Sequence, residues 1–280
     1  MVDISIVIRA KNEAKSIGKA LDMVFKQKID KEFEVLIIDT DSTDSTIDIA
    51  LSYGCRIINV PSEAFTYPHA LNIGAKNARG KYIVYLSAHS PPVNDRWLYH
   101  LTKNFSDPLV AGIYGRQIPI KDLNPIEEIE LLRYYPLNGQ DVSKYAFSNA
   151  NSAIRKDIWL KYPFDEFFFL GPDDVLWAKK VIEHGYNITY QPLCLVYHSH
   201  PFSFHFIKKR FNDMYYVSHF LKDIPSVKNK NRIIEKIKVL SYGFSYLLAN
   251  RYIKYILIYP IYLSLLQYAV WKGKNEGLKT

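Results

Sequence analysis

The sequence predicts an α/β fold in which helices cover both faces of a mostly parallel sheet. Two short, continuous apolar runs, at residues 4–8 and 34–38, are typical of strands that are buried on both faces of such a sheet. The segment between them repeats its apolar side chains at helical spacing. With 280 residues, of which 48% are hydrophobic, the chain can bury the core that this fold requires.

Strands and helices alternate through the first part of the chain, and this alternation favours a doubly wound topology. Strands are predicted at residues 4–8, 34–38, 55–60 and 81–87. Helices are predicted between them at residues 13–27, 43–53 and 68–78. The second of these helices begins at the hydroxyl and carboxylate side chains of Ser42, Thr43 and Asp44, which are favourable N-caps.

The pattern is less regular beyond residue 97. Helices are predicted at residues 97–105, 125–137 and 173–184, and strands at residues 111–117, 145–155 and 186–197. Because no repeat, low-complexity segment or linker interrupts them, residues 1–220 are predicted to form one domain. Residues 221–280, which are basic and rich in tyrosine, are predicted to form a helical C-terminal extension.

The C-terminal extension has a composition that suits a membrane interface. Its longest apolar run, residues 255–271, is interrupted by Pro260, Ser264 and Gln267 and is shorter than the ~20 residues that cross a bilayer. Tyrosines and flanking basic residues are typical of helices that lie at the headgroup level. The alternative is a pair of helices that packs on the domain or on a second copy of the chain, in a homo-oligomer.

The charge of the chain favours an anionic membrane over nucleic acid as a partner. Lysines and arginines number 36 against 28 acids, which gives a net charge of +8, and much of the excess follows residue 207. No helix-turn-helix, RNA-binding or zinc motif accompanies this charge. The N-terminus predicts no signal peptide, and the two cysteines suit a reducing compartment. We therefore expect a cytoplasmic protein that lies at, or partly in, the inner face of the cell membrane.

Polar side chains follow three of the predicted strands, at residues 9–13, 39–44 and 87–90. Because ligands of parallel sheets bind at the carboxyl ends of the strands, we expect these segments to line one pocket. Asp39 can accept a hydrogen bond from a base or a ribose, whereas Arg9 and Lys11 can face phosphate. A plain Asx turn followed by a helix cap is the other interpretation of residues 39–46.

Four longer segments carry a resemblance to a known family. They are ISIVIRAKNE, EVLIIDTDSTDST, ALNIGAKNARGKYIVYLSAHS and FDEFFFLGPDDVLWAKKVIEHGYNITYQPLCLVYHSH, between about residues 4 and 200. In their order and spacing they resemble glycosyltransferase family 2, which has the Rossmann-like GT-A fold. The resemblance implies an inverting enzyme that moves a sugar from a nucleotide sugar to a glycan or a lipid-linked saccharide. The alternative is an inactive protein of the same fold that serves as a binding or scaffold subunit.

The resemblance also implies which residues form the site. The loop after the first strand and Asp39 would contact the nucleotide. The full set assigned to the nucleotide sugar is Ala10, Lys11, Asn12, Glu13, Asp39, Asp41, Ser87, His89 and Arg116. Asn149 and Asn151 are expected on the acceptor side, and Trp177 is a candidate for stacking on a sugar.

The chain departs from the family at the end of the fourth strand. Members usually carry an Asp-x-Asp motif there, whose carboxylates bind Mn²⁺ or Mg²⁺, whereas this chain has Ser87-Ala88-His89. In one interpretation, His89 still holds a metal ion together with His198 or His200. In the other, no metal binds, and side chains such as Arg116 meet the charge of the diphosphate. The substitution resembles a rhamnosyltransferase-like branch, which suggests dTDP-rhamnose or a UDP-sugar as the donor.

An acidic pair supplies the candidate catalytic base. Asp173 and Asp174 open a predicted helix, where the helix dipole favours carboxylates. The resemblance implies that Asp174 removes the proton of the acceptor hydroxyl and that Asp173 supports it. Capping of the helix by two acids is the other interpretation of this pair.

Overall fold

The computed structural model describes residues 2–139, 142–167, 172–221 and 232–276, with only the backbone at 232–235. The chain forms two compact units. The first comprises residues 1–118, 134–169 and 173–198, and the second comprises residues 119–133, 170–172 and 199–280. The predicted boundary was residue 220, whereas the helix that ends at this residue belongs to the second unit.

A seven-stranded sheet forms the centre of the first unit. Its strands are β1 (Ile4–Ala10), β2 (Phe33–Asp39), β3 (Arg56–Asn59), β4 (Tyr82–Ser87), β5 (Val110–Ile118), β6 (Asn151–Arg155) and β7 (Asn187–Tyr197). They lie in the order β3-β2-β1-β4-β6-β5-β7. Neighbouring strands are parallel, except that β6 runs antiparallel to β4 and β5. The carboxyl ends of β1, β2 and β4 therefore meet at one edge of the sheet.

Helices connect the strands of the sheet or follow the last of them. In chain order they are α1 (Ile17–Phe25), α2 (Thr46–Ser52), α3 (Tyr67–Asn77), α4 (Trp97–Thr102), α5 (Pro125–Tyr134), α6 (Lys156–Lys161), α7 (Asp173–Glu183), α8 (Phe204–Phe220), α9 (Arg232–Ala249) and α10 (Tyr255–Asn275). In β1, Ile6 and Ile8 pack with α1 and α4, whereas Val7 packs with α3 and α7 on the other face. The two-residue period of a strand produces this division. The predicted doubly wound, mostly parallel sheet is confirmed.

The largest difference from the predicted elements lies before β6. A strand was predicted over 145–155, but only Asn151–Arg155 joins the sheet. The amides of Ala146 and Asn151 donate to carbonyls three residues earlier, at 2.9 and 3.1 Å. Ala146 and Asn151 thus donate within turns, and the regular pairing of β6 with β4 begins only at Asn151.

The second unit is helical and contains α5, α8, α9 and α10. Acidic side chains of α5 are buried in it, and tyrosines of the C-terminal helices bind them. Tyr246 Oη donates to Glu128 at 2.6 Å, and Tyr262 Oη donates to Glu130 at 2.8 Å. Buried carboxylates require partners of this kind. Part of the high tyrosine content of the tail therefore supplies hydrogen-bond donors to buried carboxylates.

The predicted helical extension is present as α9 and α10. Along α10, large apolar side chains point to solvent at intervals of three and four residues, and we call them the apolar face of α10. They are Leu257, Ile261, Leu265, Tyr268 and Trp271. Within the residues that the structure describes, no helix combines the length and the apolar character needed to span a membrane.

Candidate active site

Two loops at the carboxyl ends of β1 and β2 are hydrogen-bonded to each other. The amide of Asn12 donates to Ser42 Oγ at 2.9 Å, and Asn12 Oδ1 accepts from the amide of Thr43 at 2.8 Å. The amide of Glu13 donates to Thr46 Oγ1 at 2.7 Å. Asn12 has a φ of 55°, a left-handed conformation that Asn adopts more readily than most residues. The two predicted nucleotide loops therefore hold each other in place.

Ala10 and Lys11 connect the first of these loops to its neighbours. The carbonyl of Ala10 accepts from the amide of Thr40 at 3.0 Å. Lys11 Nζ donates to Ser62 Oγ at 2.9 Å. The Lys11 side chain is exposed, so its ammonium group is accessible to an anionic ligand.

Asp39 and Asp41 both shape the loop after β2. Asp39 is fully buried, and its two oxygens accept from the hydroxyl and the amide of Ser42 at 2.5 and 2.9 Å. Asp41 accepts from the amide of Ser62 at 2.7 Å and from Asn59 Nδ2 at 3.1 Å. These bonds, the one from Ser62 foremost, lower the pKa of Asp41. The Asx turn is thus present at Asp39, and a contact of this carboxylate with a base stays a prediction.

A carboxylate–histidine cluster lies where the family has Asp-x-Asp. Glu13 Oε1 is 3.0 Å from His89 Nδ1, and Ser87 Oγ is 3.3 Å from His89 Nε2. Burial raises the pKa of Glu13, but the hydrogen bonds with His89 and Ser16 outweigh it, so the pKa is lowered. A lowered pKa keeps the Glu13 carboxylate charged beside the imidazole. Three of the predicted site residues are therefore in direct contact.

A second histidine stacks on the first. The rings of His89 and His198 have centroids 5.1 Å apart and planes at 19°. His198 Nδ1 is 2.5 Å from Gln117 Oε1, so both rings are anchored through Nδ1. Such anchoring is typical of metal-binding histidines. His200, the third predicted ligand, belongs to the second unit, where its amide donates to Glu127 at 2.6 Å and its Nδ1 lies 2.8 Å from the same carboxylate.

The acidic pair opens α7. Asp173 is the first residue of this helix, and the side chains of Asp173 and Asp174 are both partly exposed. Asn149, which is buried, reaches Asp173 Oδ2 with its Nδ2 at 3.5 Å. The next carbonyl along the chain, that of Ala150, accepts from the amide of Ser87 at 3.2 Å. These contacts connect the acidic pair to the end of β4, and the acceptor contact expected of Asn149 stays a prediction.

Two residues that were expected to bind the acceptor are core residues. Asn151 is fully buried; its Oδ1 accepts from Trp97 Nε1 at 2.8 Å, and its Nδ2 donates to two backbone carbonyls at 3.2 and 2.9 Å. Trp177 is 2% exposed, and its Nε1 donates to the carbonyl of Tyr162 at 2.8 Å. Neither side chain offers a surface to a sugar. Burial therefore contradicts the predicted acceptor contacts of both residues.

Arg116, in β5, donates from Nε to a backbone carbonyl at 3.0 Å. Two further residues near the site were not among the predicted site residues. Gln117 anchors His198, and the ring of Tyr67 lies 4.7 Å from the guanidinium carbon of Arg9. Both act through partners that are distant in the chain, so no local pattern identifies them.

The geometry as a whole defines a class of site. Two mutually bonded loops lie at the carboxyl ends of parallel strands, which is where sheets of this kind bind nucleotides. A carboxylate–histidine cluster follows at β4, and an acidic pair begins a nearby helix. Such a site suits a phosphorylated nucleotide ligand whose reaction needs a general base.

Comparison with known proteins identifies the family. The sequence profile of glycosyl transferase family 2 matches residues 5–159, which is more than half of the chain. The chain therefore belongs to glycosyltransferase family 2.

Relatives with known activities include two bacterial rhamnosyltransferases. The O-antigen chain rhamnosyltransferase RfbN of Salmonella typhimurium is 27% identical over 213 residues, which cover 71% of this chain and 67% of that protein. The O-antigen chain rhamnosyltransferase WbaN of Salmonella anatum is 26% identical over 191 residues, which cover 64% of this chain and 60% of that protein. The matched segment thus spans about two thirds or less of these relatives.

Solved structures share the GT-A fold with this chain. The mannosyltransferase PcManGT from Pyrobaculum calidifontis, in complex with GDP-Man and Mn²⁺, has a TM-score of 0.61 at 21% identity and covers 98% of this chain and 76% of its own. The structure of S. aureus TarS 1–349 has a TM-score of 0.58 at 14% identity and covers 98% of this chain and 90% of its own. At these identities the likeness concerns the fold alone.

Proposed function

We propose that the protein is an inverting glycosyltransferase that moves a sugar, from dTDP-rhamnose or a UDP-sugar, to a glycan or a lipid-linked saccharide. The observation that carries this proposal is the acidic pair Asp173–Asp174, connected through Asn149 to the end of β4 beside the nucleotide loops. Rhamnosyl transfer is supported by the Salmonella relatives, which are named for it.

In the proposed reaction, Asp174 takes the proton of the acceptor hydroxyl as the acceptor oxygen attacks the sugar carbon. The bond between that carbon and the phosphate oxygen breaks, and the electron pair leaves with the nucleoside diphosphate. Asn149 orients Asp173, which supports Asp174 as the supporting acid of the pair. The helix N-terminus of α7 stabilises both carboxylates before the proton transfer.

The imidazoles of His89 and His198 suit a divalent cation that is intermediate between hard and soft in its ligand preference. Both rings are anchored through Nδ1, which makes Nε2 the candidate ligand atom of each. Imidazole nitrogens fit Mn²⁺ better than Mg²⁺, which prefers oxygen ligands. When bound, the ion would supply positive charge to the leaving diphosphate. Full activity in the presence of a chelator would exclude this part of the proposal.

A thermal-shift panel tests the donor and the metal together. The purified protein is heated with dTDP-rhamnose, UDP-sugars and GDP-mannose, each with and without Mn²⁺ or Mg²⁺. Binding at 100 times Kd stabilises the native state by about 2.7 kcal/mol, which is a readily measured rise in Tm. We expect one nucleotide class to raise Tm. A panel in which no nucleotide sugar raises Tm would contradict the proposed function.

We further propose that the second unit docks at the cytoplasmic face of an anionic membrane. The segment 199–280 holds 14 Lys and Arg against 4 Asp and Glu, a net charge of +10 that exceeds that of the whole chain. Lys272 and Lys274 lie in the last turn of α10, next to the apolar face of this helix. Apolar side chains beside lysines are typical of helices that lie in the interface plane.

Vesicle sedimentation tests this docking. The chain should bind vesicles that contain phosphatidylglycerol and not those of phosphatidylcholine alone. The double variant Leu257→Ser/Ile261→Ser should weaken binding at least ~10-fold, because each buried leucine or isoleucine contributes roughly 1.5–3 kcal/mol. Leu160→Ser, at an exposed leucine of α6, is the control. A dimer that dissociates in the double variant, without vesicle binding by the wild type, would show that a second copy covers this face.

A further inference from the structure

Arg9 is the one residue of β1 that is not buried, although β1 lies between β2 and β4 in the sheet. It pairs in register with Ile38 of β2 on one side and with Ser87 of β4 on the other. By the alternation of the strand, its side chain shares a face with Val7, which packs with α3 and α7. Arg9 is thus placed between the nucleotide loops and the position where the family carries Asp-x-Asp.

The guanidinium group of Arg9 packs against an aromatic ring, but one of its buried nitrogens lacks a hydrogen-bond acceptor. Its Cζ lies 4.7 Å from the centroid of the Tyr67 ring, at the start of α3. Its Nη1 is shielded from solvent and has no hydrogen-bond partner in the part of the chain that the structure describes. A buried donor without an acceptor is costly, and more so when it is charged. Such a group is expected where a ligand supplies the acceptor.

The surroundings place this cation on the side of the catalytic acids. Tyr85 is buried and pairs in register with Val7, two residues before Arg9. Burial raises the pKa of the Tyr85 hydroxyl, the charge of Arg9 lowers this pKa and that of Asp173 raises it. Among the described residues, no carboxylate accepts a hydrogen bond from Arg9 Nη1. The missing acceptor is then expected to be an anionic group of the ligand.

We propose that Arg9, held against Tyr67, binds the diphosphate of the sugar donor and stabilises the nucleoside diphosphate as it leaves. This inference rests on the proposed function. When the sugar–oxygen bond breaks, its electron pair stays on the terminal phosphate oxygen, which gains one negative charge, while the acceptor proton passes to Asp174. A planar guanidinium matches phosphate oxygens with two parallel N–H donors. Stacking on the tyrosine ring fixes the plane of this fork before the ligand arrives.

Titration calorimetry with nucleosides and nucleotides isolates the contact with phosphate. The probes are dTDP and UDP, with thymidine and uridine as the same bases without phosphate. For Arg9→Met we expect the affinity for the diphosphate to fall about 10–100-fold, which is the range for a charged hydrogen bond, while the affinity for the nucleoside changes less than about twofold. Arg9→Lys keeps the charge without the fork, so its affinity for the diphosphate should lie between those of the wild type and Arg9→Met.

Arg96→Met is the matched control, because Arg96 also stacks on a tyrosine, at 5.3 Å from the Tyr99 ring, but on the exposed surface near α4. Its affinities should equal those of the wild type. If Arg9→Met does not fold, Arg9→Lys decides, and an undiminished affinity for the diphosphate would overturn the proposal. A folded Arg9→Met that binds the diphosphate within twofold of the wild type would overturn it as well. A wild type that binds no nucleotide sugar would instead overturn the proposed function itself.

Discussion

Replacement of Asn151 by alanine removes three hydrogen bonds from the interior of the first unit. The side chain accepts from the indole of Trp97 and donates to the carbonyls of Arg116 and Cys194, and it has no exposed surface. At about 1 kcal/mol for each bond, the variant should lose about 3 kcal/mol of unfolding free energy. In domains of this size 1 kcal/mol shifts Tm by about 2–4 °C, so we expect Tm to fall by about 6–12 °C.

The assay is a thermal melt followed by circular dichroism, together with acceptor KM measured below the transition. Asn187→Ala is the control, since Asn187 is an exposed asparagine at the start of β7, and such substitutions usually stay within about 0.5 kcal/mol. A core role predicts a lower Tm with an unchanged KM for the acceptor. An unchanged Tm with a raised acceptor KM would refute the structural assignment of Asn151 and restore its role as a sugar ligand.

Three further substitutions test the packing and the electrostatics. Burial raises the pKa of Glu34, but the hydrogen bonds that its carboxylate accepts, including the one from Arg56, outweigh burial and lower this pKa from 4.5. The Glu34 carboxylate therefore stabilises the fold above pH 4.5, and this stabilisation is lost as the pH falls through the lowered pKa. Glu34→Gln should therefore be less stable at pH 7 and lose less stability on acidification in urea titrations; an acid response equal to that of the wild type would contradict this. Gly80→Ala should cost about 1–3 kcal/mol, because its Cβ would lie 2.6 Å from backbone atoms of β1, and an unchanged urea midpoint would refute that close approach. Tyr262→Phe should destabilise the chain by about 1–3 kcal/mol, since Glu130 loses a buried donor; a neutral effect on the melt would argue against that bond.

The strands and helices of the first 90 residues were predictable because their signals are local. Continuous apolar runs mark buried parallel strands, and β1, β2 and β4 lie within two residues of their predicted bounds. The direction of β6 was not predictable in this way. Its pairing with β4 is a contact between segments about 70 residues apart, and the amides of Ala146 and Asn151 donate within turns that no apolar run predicts.

The candidate site was predictable where it follows strand ends and not where it depends on burial. The contact between Glu13 and His89 joins residues 76 positions apart, and only the pairing of β1 with β4 brings them together. Asn and Trp are chemically suited both to sugars and to cores. Their identity in the sequence therefore could not reveal that Asn151 and Trp177 are buried in the core.

The central claim, that Asp174 is the base of a sugar transfer, is tested by one comparison of turnover and binding. Asp174→Asn is assayed for transfer from the nucleotide sugar that gives the largest thermal shift, and its donor affinity is measured by calorimetry. Asp48→Asn is the control, because Asp48 is also an acid in the first turn of a helix, α2. We expect turnover of Asp174→Asn to fall at least ~100-fold, in line with general base catalysis, with a donor affinity within about threefold of the wild type. Turnover within twofold of the wild type would contradict the claim, and a wild type that binds the donor without transferring it would favour the scaffold alternative.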